Sequence, residues 1–189
     1  MVSTVSIQKQ RIRTQTLQQI YALSKTYRRQ ADTGIQNTIL SMPQYLHSCV
    51  ICYYVSTQYE VNTIQLIKKQ LALKNKRIIV PKIDSNNLTL HEITSWKDLH
   101  IGTYGIQEPN NTCKRIAPQI VDLFFVPGIA FGNNKTRIGR GVGYYDRLLK
   151  KTGGITIGLA YDVQLYATVP HSTRDVQLDI IVTETSTYV

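Results

Sequence analysis

One segment, residues 121–151, constrains the fold and the function of this chain more than any other. It opens with an apolar run from Val121 to Val126, interrupted by Asp122 alone, which predicts a buried β-strand. A Pro-Gly pair and a polar turn follow. The sequence Arg137-Ile138-Gly139-Arg140-Gly141-Val142-Gly143 then leads into helical spacing from Tyr144 to Lys151. A strand, a glycine-rich turn and a helix in this order predict an α/β unit.

The glycines of this turn indicate an anion site. Three glycines at alternate positions, within Gly139–Gly143, leave a short backbone whose N–H groups can approach a phosphate closely. Arg137 and Arg140 add positive charge, and Asp146, one turn into the predicted helix, can hold a cation. The pattern is neither a P-loop nor a dinucleotide fingerprint, because it lacks both GxxxxGK[ST] and GxGxxG. The residues alone leave two interpretations open, a magnesium–nucleotide phosphate site and a flexible basic loop.

The segment R-[IL]-G-x-G-x-G-Y-Y-D-R-x-L, after V-P-G-[IL]-A-F, resembles the signature of the 5-formyltetrahydrofolate cyclo-ligase family. Lys9 and Arg13 match the family's K-x-x-x-R near the N-terminus, and Glu60 opens a match to E-[VI]-x-T. Tyr104–Pro109 is similar to aromatic-G-I-x-E-P. Pro170–Glu184 is similar to P-x(4)-D-x-x-[VL]-D-x-[VI]-[VI]-T-E. The resemblance therefore covers nearly the whole chain.

The resemblance implies a set of site residues for ATP, folate and magnesium. Arg140 and Tyr144 are the implied catalytic residues, and Asp146 with Asp179 would hold magnesium. The implied folate-binding residues are Val55, Glu60, Tyr104, Arg140 and Tyr144. The implied ATP-binding residues are Lys9, Arg13, Arg137, Ile138, Gly139, Arg140, Gly141, Val142, Gly143, Tyr144 and Tyr145. Val142 departs from the family, which commonly has Gly or Lys there.

The first thirty residues contain no acidic side chain, so by composition they fit either a transit peptide or a structural helix. We predict a helix from about Ser6 to about Arg29. Lys9 and Arg13 share one face of it, where like charges are mildly destabilising, which indicates an anion between them. A solvated basic face is the alternative. The apolar residues expected toward the core are Ile7, Leu17, Ile20, Tyr21 and Tyr27.

Two carboxylates are candidate site residues because of their positions next to predicted strands. Glu60 follows the strand predicted over Val50–Val55, and ligands of open α/β sheets lie beyond the carboxyl ends of strands. A carboxylate there can accept two parallel N–H bonds from a pterin ring. Asp179 opens the last apolar strand, where a charge needs a partner. A surface position is the alternative for each of them.

Composition narrows the partners without choosing one. The chain has 189 residues, 42% of them hydrophobic, and no apolar run approaches the ~18 residues of a membrane span. A net charge of +10 favours anionic partners such as nucleic acid, acidic membranes or ATP. Cys49, Cys52 and Cys113 form no even disulfide framework, and we expect Cys49 and Cys52 to be buried thiols rather than metal ligands.

We therefore predict one domain over residues 1–189, a three-layer α/β/α fold. The resemblance implies its ribosephosphate-isomerase/CoA-transferase-like variant. It also implies the ATP- and magnesium-dependent conversion of 5-formyltetrahydrofolate to 5,10-methenyltetrahydrofolate, with phosphorylation of the formyl oxygen and release of ADP and phosphate. We expect a cytoplasmic monomer that binds neither nucleic acid nor membrane. A basic nucleic-acid-binding module and a diverged small-molecule enzyme on the same fold are the alternatives.

Overall fold

The structure is a computed structural model that describes residues 4–102 and 105–189. Helices and strands alternate along much of the chain, as the sequence pattern predicts. The helices are α1 (Thr4–Ala22), α2 (Lys25–Ser41), α3 (Pro43–His47), α4 (Ile64–Leu73) and α5 (Tyr144–Leu149). The strands are β1 (Val50–Cys52), β2 (Arg77–Asp84), β3 (Asn87–Ile93), β4 (Leu99–Ile101), β5 (Gln107–Pro109), β6 (Arg115–Ile116), β7 (Leu123–Val126), β8 (Ala130–Gly132), β9 (Arg137–Ile138), β10 (Ile155–Leu159), β11 (Leu165–Tyr166), β12 (Ile180–Val182) and β13 (Thr187–Tyr188).

A sheet with the order β13-β12-β10-β7-β1-β2-β3-β6 forms the centre of the molecule. Its five middle strands, β12-β10-β7-β1-β2, run parallel, and antiparallel strands extend it on both sides. All four residues of β7 are buried, as expected for a strand that is covered on both faces. Two smaller sheets, β11-β8-β9 and β4-β5, complete the strand pairing.

Helices and apolar side chains cover both faces of the central sheet. Phe125 and Phe124 are neighbours on β7 and point to opposite faces, so each belongs to a different hydrophobic cluster. The Phe125 cluster includes Ile35 and Ile39 of α2, whereas the Phe124 cluster includes Leu148 of α5. The predicted α/β class is confirmed. The order of the layers, the fold name and the assignment of one domain stay predictions.

The N-terminal helix differs from the single helix that the sequence predicts. α1 ends at Ala22, and Ser24 starts α2 by accepting a hydrogen bond from the backbone N–H of Tyr27. Ile7 and Tyr21 are 61% and 55% exposed, so the prediction that they lie toward the core was wrong. The reason is that α1 contacts β8 and the glycine-rich turn, and its buried residues are limited to Thr16 and Ile20.

Strand β1 ends at Cys52, three residues earlier than predicted, and a buried stretch from Tyr53 to Val55 carries the chain to the carboxyl edge of the sheet. Cys52 is buried as expected, but Cys49 is exposed because it lies before the strand. Among the described residues, no helix is long and apolar enough to cross a membrane.

Candidate active site

The glycine loop, Gly139–Gly143, turns between β9 and α5. Gly141 and Gly143 have φ angles of 107° and 74°, in the left-handed region that side-chain-bearing residues rarely adopt. Gly143 is the residue that caps the N-terminus of α5. Because α5 has only six residues, its dipole adds little, and the predicted anion binding by this loop would rest on its backbone N–H groups.

Helix α1 places one arginine directly on the glycine loop. Arg13 donates from Nε to the carbonyl oxygen of Gly139 over 2.8 Å, and its guanidinium lies beside Gly141. A Cβ atom added at Gly141 would lie 3.7 Å from Nη2 of Arg13. Burial lowers the pKa of Arg13, and the charge of Asp175 partly opposes that effect. The structure therefore joins two parts of the predicted ATP site that are far apart in sequence.

Asp175 is a site residue that the sequence analysis did not assign. Its Oδ2 atom lies 2.5 Å from Nζ of Lys9 and accepts hydrogen bonds from the backbone N–H and hydroxyl of Ser172. Burial alone would raise the pKa of Asp175, but the bonds from Lys9 and Ser172 lower it below its ordinary value. The signal was present in the family-like tail, where Asp175 is the first aspartate of the quoted pattern.

Arg137 forms a buried ion pair next to the glycine loop, where a Cβ atom added at Gly139 would lie 3.0 Å from its Nη1 atom. Its side chain is 3% exposed, and Nη2 lies 3.1 Å from Oδ1 of Asp146. The same oxygen accepts a hydrogen bond from the backbone N–H of Val176 over 3.2 Å. Burial lowers the pKa of Arg137, and the charge of Asp146 opposes this effect. These contacts make Arg137 a residue that orients Asp146, whose other oxygen, Oδ2, accepts no hydrogen bond from the described residues.

Asp146 and Asp179 are not joined by any contact among the described residues. Asp179 precedes β12 at the amino edge of the parallel strands, and its Oδ2 atom accepts from the backbone N–H and hydroxyl of Thr156, over 2.8 and 2.7 Å. No group of three or more His, Cys, Asp or Glu side chains within residues 4–102 and 105–189 is arranged to hold a metal ion. The shared magnesium shell of Asp146 and Asp179 stays a prediction that these contacts do not support.

The predicted folate residue Glu60 meets the glycine loop. Glu60 belongs to the Glu60 loop, residues 56–62, which follows β1 at the carboxyl edge of the sheet. Its Oε1 atom lies 3.2 Å from Nη2 of Arg140, and its Oε2 atom accepts from the backbone N–H and hydroxyl of Thr57. Arg140 is 62% exposed in its side chain, whereas Glu60 is 17% exposed. Arg140 can therefore leave Glu60 at little cost when a ligand arrives.

The remaining predicted residues have different surroundings. Tyr144 is half-buried at the start of α5, with the guanidinium of Arg147 5.4 Å from its ring centroid. Tyr145 packs against both hydrophobic clusters, and burial raises its pKa well above the usual range, so its contacts are those of a core residue. Val142 is exposed at the tip of the glycine loop. Val55 and Ile138 are buried beside the site, and Tyr104 lies outside the described residues.

A mostly parallel sheet whose carboxyl edge brings the glycine loop and the Glu60 loop together, through Arg140 and Glu60, is an α/β architecture with a candidate active site at that edge. The chain belongs to the 5-formyltetrahydrofolate cyclo-ligase family, whose model matches residues 5–184. The predicted resemblance is confirmed.

Individual relatives agree with this assignment. The chain is 27% identical to the 5-formyltetrahydrofolate cyclo-ligase of Mus musculus, over 97% of each chain. It is 29% identical to the mitochondrial 5-formyltetrahydrofolate cyclo-ligase of Arabidopsis thaliana, over 93% of this chain and 74% of that one. The solved structure of Aquifex aeolicus 5,10-methenyltetrahydrofolate synthetase is similar with a TM-score of 0.87 and 34% identity. That similarity covers 95% of this chain and 91% of the other.

Proposed function

We propose that this enzyme uses ATP and magnesium to convert 5-formyltetrahydrofolate into 5,10-methenyltetrahydrofolate, ADP and phosphate. The observation that carries the proposal is the contact between Arg140 and Glu60, 80 residues apart in sequence and 3.2 Å apart in space. Arg140 belongs to the glycine loop, the proposed phosphate half of the site, and Glu60 belongs to the proposed folate half. Phosphoryl transfer needs both substrates in contact, and this pair lies where they would meet.

The phosphate half is built from α1 and the glycine loop. Lys9 and Arg13 would neutralise phosphate charge together with Arg140, and the loop backbone would bind phosphate oxygens. Lys9 and Arg13 now face Asp175 and the carbonyl of Gly139, and both of these contacts are ones that an ATP phosphate can replace. Arg137 is buried against Asp146 and would act on ATP through that carboxylate.

Asp146 is suited to hold a magnesium ion on one oxygen. Arg137 and Val176 occupy Oδ1 and leave Oδ2 available. Magnesium commonly binds one or two carboxylates together with substrate phosphates, so a complete set of protein ligands is not required. When bound, the ion would offset the negative charge of the phosphates during transfer. Asp179 would complete this shell only if it left Thr156, so we assign the metal to Asp146, and the role of Asp179 as a second ligand stays a prediction.

The reaction follows from the poor leaving-group character of the formyl oxygen. This oxygen attacks the γ-phosphorus of ATP, a new O–P bond forms, and ADP departs. The neighbouring folate nitrogen then attacks the activated formyl carbon, loses its proton to water, and closes the five-membered ring as the C–O bond breaks and phosphate leaves. Arg140 would neutralise the charge of the transferred group, and Tyr144 would position the formyl-folate. Such a transfer depends on positioning and charge rather than on a protein nucleophile.

The folate half would bind the pterin through Glu60. A carboxylate held by Thr57 on one oxygen keeps the geometry to accept parallel N–H bonds once Arg140 withdraws. Val55 would form the apolar wall, and Tyr104 would stack on the ring. We also propose that the enzyme acts as a cytoplasmic monomer on these small substrates and binds no nucleic acid.

The first test is an absorbance assay for the methenyl product. Purified protein is mixed with 5-formyltetrahydrofolate, ATP and magnesium, with controls that omit ATP or magnesium. Growth of the methenyl absorbance that requires both supports the reaction. A flat trace from folded protein that still binds ATP would reject the folate assignment, and salt-sensitive binding to random RNA in its place would favour a nucleic-acid-binding module.

A matched pair of variants tests the folate half. Glu60 and Glu92 each pair with an arginine. Glu92 of β3 pairs with Arg77 of β2, and these two strands are antiparallel and do not belong to the candidate site. We expect Glu60→Gln to raise the KM for 5-formyltetrahydrofolate about tenfold or more, because a neutral amide cannot accept two parallel bonds. Glu92→Gln should leave this KM unchanged. Equal KM values for both variants would remove Glu60 from the folate site.

A further inference from the structure

A partly buried carboxylate on α2, that of Asp32, contacts the Glu60 loop. Oδ1 of Asp32 accepts a hydrogen bond from the hydroxyl of Tyr161 over 2.9 Å and another from the backbone N–H of Asn62 over 3.0 Å. Asn62 is the last residue of the Glu60 loop, and its own side chain accepts from the first backbone N–H of α4. Asp32 therefore holds the point where the loop joins the helix that follows it.

Tyr161 extends this anchor to Glu60 itself. The residue is almost fully buried just beyond β10, and its hydroxyl lies 3.3 Å from the backbone oxygen of Glu60 as well as 2.9 Å from Asp32. One hydroxyl thus connects a helix on one face of the sheet with the backbone of the proposed folate-binding residue. Burial raises the pKa of Tyr161 well above its ordinary range, so the hydroxyl stays protonated and can donate.

The position of the Glu60 side chain depends on its backbone. The bonds of its carboxylate go to Thr57, within the same loop, and to the exposed Arg140. Neither contact ties the loop to the rigid sheet. The loop backbone is held by Tyr161 and Asp32, at Glu60 and Asn62, and by Tyr54, which donates to the backbone oxygen of Val61. Arg28 and Gln36 of α2 also donate to backbone oxygens of this loop.

The partial burial of Asp32 affects its ionisation. Burial raises the pKa of Asp32, which means that its ionised form loses hydration free energy on folding. The described residues include no cation within salt-bridge distance of Asp32. The hydrogen bonds from Asn62 and Tyr161 and the charge of Arg28 oppose the effect of burial and lower the pKa. A partly buried carboxylate that spends its hydrogen bonds on a loop is a candidate positioning residue.

We propose that Asp32 and Tyr161 are positioning residues, which set the Glu60 loop in the shape that recognises the pterin of the folate substrate. The inference rests on the proposed function, since Glu60 is the residue through which the pair acts. It predicts a defect confined to the folate half of the site. Binding of ATP, which depends on α1 and the glycine loop, should not change.

Tyr161→Phe tests the hydroxyl, and Tyr53→Phe is its matched control. Tyr53 is also a buried tyrosine next to a parallel strand, but its hydroxyl bonds to Tyr45 of α3, away from the Glu60 loop. We expect Tyr161→Phe to raise the KM for 5-formyltetrahydrofolate about tenfold, with kcat and the KM for ATP within about twofold of the wild type. Tyr53→Phe should leave all three kinetic constants unchanged.

Asp32 is tested with a conservative variant and a truncating variant. Asn retains an oxygen that accepts from both Tyr161 and Asn62, so Asp32→Asn should keep the folate KM within about threefold of the wild type. Asp32→Ala removes the acceptor and should raise this KM about tenfold or more. This pair of variants carries the test if Tyr161→Phe does not fold.

The outcomes separate this inference from the proposed function. An active wild type whose folate KM is unchanged in Tyr161→Phe and in Asp32→Ala overturns the positioning role and leaves the reaction intact. Equal rises in the folate and ATP KM values, or an Asn variant as poor as the Ala variant, also overturn it, because they indicate a general structural effect. A wild type that neither turns over nor binds 5-formyltetrahydrofolate in calorimetry rejects the proposed function and this inference together.

Discussion

Replacing Asp146 with Ala should lower the free energy of unfolding, independently of any effect on magnesium binding. The variant leaves the guanidinium of Arg137, whose side chain is 3% exposed, without the carboxylate that lies 3.1 Å away. Removing one partner of a buried ion pair costs about 3–5 kcal/mol. Asp146 keeps 20% of its side chain exposed, and the charge of Asp175 also favours the charged form of Arg137. We therefore expect the free energy of unfolding to fall by about 3 kcal/mol, the lower end of that range. For a chain of this size, Tm should then fall by roughly 6–12 °C.

Two further variants separate the ion pair from the proposed metal site. Asp146→Asn keeps an oxygen that accepts from Arg137 and Val176, so it should lose magnesium-dependent turnover with a smaller loss of stability. The double variant Arg137→Met with Asp146→Ala removes both charges and should recover part of the lost Tm, because no unpaired charge stays buried.

Thermal unfolding followed by circular dichroism measures all of these variants under one condition. An Asp146→Ala protein that melts within about 2 °C of the wild type would refute the reasoning. So would a double variant less stable than Asp146→Ala, since it would mean that the charge of Arg137 stabilises the fold without its partner.

Three other predictions concern the ATP contact of Arg13, the ion pair of Glu92 and the exposure of two cysteines. Arg13→Ala should raise the KM for ATP about tenfold and leave the folate KM unchanged, since its bond is to the glycine loop; a change in the folate KM alone would contradict this. The hydrogen bond from Arg77 lowers the pKa of Glu92. Ionised Glu92 therefore stabilises the folded protein above the unfolded pKa of about 4.3, and this stabilisation is lost as the pH falls through the lower folded pKa. Tm measured from pH 6 to pH 3 should therefore fall less for Glu92→Gln than for the wild type, and parallel curves would argue against it. Exposed Cys49 should react with iodoacetamide in the native protein, whereas buried Cys52, whose pKa is raised by burial, should react after unfolding, as peptide mass spectrometry can determine.

Much of the site was predictable because it is encoded in local patterns. The buried run before Val126, the alternating glycines and the helix after Gly143 follow from hydrophobic spacing and backbone sterics, and the structure has each of them. Glu60 and Arg140 were selected from motifs, and their contact shows that the two motifs lie together in space.

Other features could not be predicted from spacing. The helical pattern of the first thirty residues placed Ile7 and Tyr21 toward the core, but α1 covers the glycine loop, so these side chains face outward. The tail contains two aspartates, and the pattern favoured Asp179, whereas the structure pairs Asp175 with Lys9. Spacing also could not show that Arg137, which lies beside Gly139, forms a buried ion pair with Asp146.

The sequence by itself determined the local elements of this protein, because helix and strand periodicity and glycine backbone freedom depend on near neighbours along the chain. The tertiary structure decided which charges meet. Lys9 and Asp175 are 166 residues apart, and Arg140 and Glu60 are 80 apart. Such pairs depend on the path of the whole chain through the sheet. Periodicity says which face of an element is apolar, but it does not say which distant element will cover the other face.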